Sequence, residues 1–142
     1  MKTLKTIILS AGAVALLGAS GLYAQKATAD IPFEFTAQNT TLPAGEYTMS
    51  SASTTHGVML IRNVETRKAI LVLASSSESG YRRTGDKSVV VFHKLGDRYF
   101  LADVKTDAVC GHVGPTKLER ELASEGKGQP MAAVIVPALS VR

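Results

Sequence analysis

Along residues 31–37 apolar and polar positions alternate: Ile31, Phe33, Phe35 and Ala37 fall on one face, Pro32, Glu34 and Thr36 on the other. A period of two is that of a half-buried β-strand. Pro32 offers no N–H to a ladder, so this strand is expected at a sheet edge or at its own first residues. Leu42-Pro43-Ala44-Gly45 then reads as a turn, with Pro43 pre-setting the first central dihedral and Gly45 suiting the closing position. Alternation resumes over Glu46–Ser51 and points Tyr47 and Met49 inward.

Val58–Val64 and Ala69–Leu73, joined by the polar Glu65–Lys68, form a predicted hairpin. Both runs are almost continuously apolar, which predicts strands covered on both faces. Ser75–Lys87 is polar, patternless and expected as an exposed loop. Val89–Leu95 and Arg98–Val104 flank Gly96-Asp97, a pair suited to a type II′ hairpin turn. Thr116 and Glu119 make a capping box, Leu118 and Leu122 follow at helical spacing, and Gly126 supplies a stop. A helix is predicted over residues 117–125, with its leucines docked because so short a helix does not persist alone. Met131–Val136 is a predicted final strand, too apolar to stay exposed. The elements add up to a mainly β, antiparallel fold of about seven or eight strands: a small β-barrel or a two-sheet sandwich carrying one short C-terminal helix. The expected core is Phe33, Phe35, Tyr47, Leu60, Leu71, Val91, Tyr99, Leu101, Leu118 and Leu122.

The first 24 residues follow a different logic. Lys2 and Lys5 precede the uncharged, largely apolar Thr6–Leu17, and Gly18–Ala24 is a run dominated by small residues. The apolar run is 12 residues long, short of the roughly 20 that span a bilayer as a helix. Met1–Ala24 is therefore expected to be a cleaved secretory signal, with Ala29 as the alternative cleavage position. Residues 25–142 are expected to form a single β domain.

Removing the signal changes the charge argument. The full chain carries 16 basic and 12 acidic residues, a net charge of +4; without Lys2 and Lys5 the balance is 14 to 12, or +2. That is too little to predict a nucleic-acid partner or an anionic membrane surface. One cysteine in 142 residues excludes an internal disulfide.

Four stretches carry a likeness to known proteins: Ile31–Phe35 (IPFEF), Thr41–Thr48 (TLPAGEYT), Val91–Leu101 (VFHKLGDRYFL) and Leu118–Ala123 (LERELA). Together with the signal they resemble a family of small secreted bacterial proteins common in acidobacteria. The likeness covers most of residues 30–125 and implies an envelope or secreted location and a shared β-rich fold. That family carries no agreed catalytic residues, so the resemblance transfers no site. The segment after Gly126 is longer and more apolar here than the family pattern.

Candidate chemistry is sparse. Cys110-Gly111-His112 sets a thiol two residues from an imidazole, the ingredients of a nucleophile and its base. No third group is fixed beside them, and cysteine is commonly a small buried hydrophobe, so Cys110 is expected to be an unbridged structural thiol. An intermolecular disulfide and a reactive thiol stay open. His56, His93 and His112 lack ligand spacing and would bind metal only if the fold gathered them, with Asp97 or Asp103; no metal site is predicted. Asp97 and Asp103 read as a turn residue and a solvent-facing strand residue rather than a catalytic pair. Arg82-Arg83 beside Tyr81 reads as a solvated loop, and Asn39-Thr40-Thr41 as turn chemistry. The chain has no P-loop, dinucleotide fingerprint, GxSxG or HExxH, and no cofactor is expected.

The expectation for function is a secreted or periplasmic, non-enzymatic binding or structural module. The alternatives are a barrel carrying a small apolar ligand, marked by an internal cavity, and a hydrolase or thiol enzyme, which needs Cys110 or a serine to meet a histidine and an acid. Expected partners are a small apolar ligand or another protein.

Overall fold

The computed structural model describes residues 25–52, 57–75, 87–126 and 132–141. Among them ten strands form: β1 (Lys26–Ile31), β2 (Phe35–Ala37), β3 (Thr40–Leu42), β4 (Gly45–Ser51), β5 (Val58–Asn63), β6 (Ala69–Leu73), β7 (Val89–Leu95), β8 (Arg98–Lys105), β9 (Cys110–His112) and β10 (Ala132–Val141). Helix α1 (Lys117–Glu125) lies between β9 and β10. The strands join in the order β3-β2-β8-β7-β10-β1-β4-β5-β6, with β9 also on β8. The sheet curls into a half-barrel. Every named pairing is antiparallel except β2 with β8, which meet in parallel through the single pair Thr36 and Phe100.

The long strand β10 unites the sheet. Residues Ala132–Pro137 pair with β7, and Ala138–Val141 pair with β1. Pro137 sits at this change of partner, where a ladder tolerates a missing donor. The predicted strand over 31–37 is broken in two: β1 begins earlier, at Lys26, and ends at Ile31 just before Pro32, and β2 starts only at Phe35. The β7–β8 hairpin is as expected. Gly96 has φ +60, and Gln38 and Arg67 are the non-glycine residues with positive φ among the described residues. Asp97 therefore has negative φ, which fits a type II′ turn rather than I′.

A β-bulge decides which way β8 points its side chains. Val91 pairs with Asp103 but the next residue, Phe92, pairs with Leu101, so Ala102 is the extra residue. The slip lets Leu101 and Val104 both face inward and turns Asp103 outward. Past β8 the half-barrel closes on itself at one point. Ser75, just after β6, exchanges two backbone hydrogen bonds with His112 of β9, at 2.8 and 2.9 Å. Gly111 makes that approach possible: a Cβ there would lie 2.7 Å from the Cβ of Ala74.

Inside the curl the inward side chains form one continuous cluster. Ile31, Phe35, Tyr47, Met49, Met59, Ile61, Val72, Val90, Phe92 and Val104 are fully buried in it. Tyr47 donates a hydrogen bond to the carbonyl of Pro43 at 2.5 Å, which ties the LPAGEY turn to the strand it launches. Asn63, also buried, accepts from the amides of Glu65 and Thr66 at 2.9 Å each and so builds the β5–β6 turn.

Several expectations need correction. β5 and β6 are not covered on both faces: Leu71 is 62% and Leu73 67% exposed, because β6 ends the sheet order and its outer face meets no second layer. Leu60 and Val91, on the same outer face as their neighbours, are only half-buried. Ile135, on the outer face of β10, is 64% exposed despite its apolar surroundings in sequence. The capping box of α1 forms as predicted, but Leu118 is exposed and Leu122 half-buried. The helix instead docks through the buried Glu119, whose carboxylate reaches His93 on β7 at 3.0 Å.

Candidate functional site

A concave feature of the described residues lies where β2 and β8 meet. The two strands share one register pair, Thr36 with Phe100. Between them opens a cleft of about 450 Å³. Phe33, Glu34, Phe35 and Thr36 line one side, Asp97, Arg98 and Tyr99 the other, and Thr41 of β3 contributes at the margin. The volume lies within the ~300–1,000 Å³ usual for small-molecule sites.

A ring contact joins its two sides. The rings of Phe33 and Tyr99 stack at 3.9 Å and 14°, and Phe33 makes an edge contact with Phe92 at 5.0 Å. Phe92 in turn meets Phe35 at 5.2 Å, and Phe35 meets Tyr47 at 5.2 Å, so the ring stack is continuous with the core. The ammonium of Lys94 sits 5.4 Å from the centre of the Tyr99 ring. Glu34, Asp97 and Arg98 are exposed at the mouth. Two carboxylates thus face one guanidinium at the mouth, and Lys94 brings the local charge close to balance.

A second cluster lies at the seam. The bulge turns Asp103 outward, and its carboxylate accepts a hydrogen bond or shares a proton with Nδ1 of His112 at 2.9 Å. On β9 Gly111 points inward, so Cys110 and His112 share the outer face, with Lys105 in register opposite Cys110. This corrects the expectation of a buried cysteine: Cys110 is exposed, because β9 spends its one inward position on Gly111. Cys110 also borders a hollow of about 250 Å³ lined by Val58, Met59, Ala74, Ala108 and Val109 among others. Ser75 stands opposite His112, but its hydroxyl is directed at the His112 carbonyl at 3.4 Å rather than at the ring. The imidazole and its acid are in place there, and Ser75 is not aligned on them.

The other predicted residues are scattered. His93 belongs to the α1 dock, paired with Glu119. Asp97 is in the β7–β8 turn and Asp103 six positions along the strand, roughly 20 Å away, so they form no carboxylate pair. His56, Tyr81, Arg82 and Arg83 lie outside the described residues. Among the described residues no group of three or more His, Cys, Asp or Glu side chains could hold a metal ion. No described helix is long and apolar enough to cross a membrane.

Sequence reasoning missed Glu34, Thr36, Thr41 and Arg98 as cleft residues. The available signal was the pair of motifs IPFEF and LGDRYF, which are remote in the chain and become the two walls. No family model, curated protein or solved structure matches the chain.

Proposed function

We propose that the protein is a non-enzymatic binding module that works outside the cytoplasm and takes its ligand in the cleft between β2 and β8. The observation that carries this reading is the preformed Phe33–Tyr99 stack, which joins the two sides of the cleft beside the exposed Glu34, Asp97 and Arg98. A ring stack anchored on the core fixes the two sides of the cleft relative to each other without a ligand, which lowers the ordering cost of binding. Support for the location comes from the basic, apolar and small-residue succession of Met1–Ala24 and from the resemblance to secreted acidobacterial proteins.

The continuous packing of the inward side chains favours a surface site over the carriage of a small apolar molecule inside the curl. Native mass spectrometry of the protein purified from its own host tests this choice. The expected species has the mass of the polypeptide alone. A small apolar molecule retained by the folded protein and released on unfolding overturns the surface reading in favour of the carrier.

A further inference from the structure

We draw no further inference here: the strongest candidate, the exposed Leu71 and Leu73 on the outer face of β6 at the end of the sheet, carries nothing because nothing in the structure shows what covers it.

Discussion

Replacing Gly111 with alanine tests the physical basis of the seam. A Cβ at position 111 would stand 2.7 Å from the Cβ of Ala74, whereas carbon atoms pack best at roughly 3.5–4.0 Å. The backbones of β9 and the end of β6 therefore have to separate by about 1 Å. The pair of Ser75–His112 hydrogen bonds, at 2.8 and 2.9 Å, lies directly beside the clash. Loss of both is worth about 2 kcal/mol, and the overpacking strain that remains if they hold is of similar size, so Gly111→Ala should cost about 2–3 kcal/mol. For a domain of this size that lowers Tm by roughly 8–12 °C. Urea unfolding followed by circular dichroism measures the loss at constant m-value. The decisive comparison is Ala74→Gly in the Gly111→Ala background, which removes the opposing atom and should recover more than about 1 kcal/mol. A Gly111→Ala protein within about 0.5 kcal/mol of wild type, or strictly additive effects in the double variant, would refute the close approach.

Three further perturbations follow from the same contacts. Burial pushes the Tyr47 phenol above its usual 10.0, with the Asn63 hydrogen bond opposing more weakly. A raised folded-state value means the proton is held more tightly folded than unfolded, so the stabilisation is complete below pH 10 and is lost as pH climbs through the raised value. Wild type should therefore lose stability relative to Tyr47→Phe as pH rises above 10.0, and parallel alkaline unfolding curves would contradict the sign. Glu119→Ala removes the His93 contact at 3.0 Å and the Thr116 amide contact at 3.3 Å. It should cost about 1–3 kcal/mol and deprotect α1 amides in hydrogen exchange; unchanged α1 protection would show that the helix docks by other means. Leu71→Lys with Leu73→Lys, on the outer face of β6, should cost about 1 kcal/mol or less while reducing aggregation on heating; a loss above about 3 kcal/mol would mean that this face is covered.

The sequence disclosed most of the strands, the II′ turn and the capped helix because each rests on a local rule. Gly96-Asp97 needs only a permitted positive φ, and Thr116 with Glu119 needs only spacing. The misses share a different origin. β9 is three residues long and has no period to detect, and its existence depends on Gly111 meeting Ala74, which is remote in the chain. The bulge at Ala102, which brings both Leu101 and Val104 inward and turns Asp103 to His112, needed the register with β7. Continuous apolar runs misled for β6, since an end strand and a central one of the same composition differ only in what covers them. Glu119 satisfied the capping box on paper, and its second partner on β7 was beyond any local pattern. The cleft was hidden for the same reason, since its walls come from residues 33–36 and 97–99.

The central claim is that this protein acts by holding a ligand at the β2–β8 cleft. Its most direct test is an amide shift map of the wild-type protein mixed with envelope and spent-medium fractions of its own host. The account predicts shifts centred on Phe33, Glu34, Thr36 and Asp97–Tyr99, and their loss in a Glu34→Gln, Arg98→Ala double variant that unfolds like wild type. Shifts confined to the Cys110–His112 seam or to the outer face of β6, with the cleft unmoved, would contradict it.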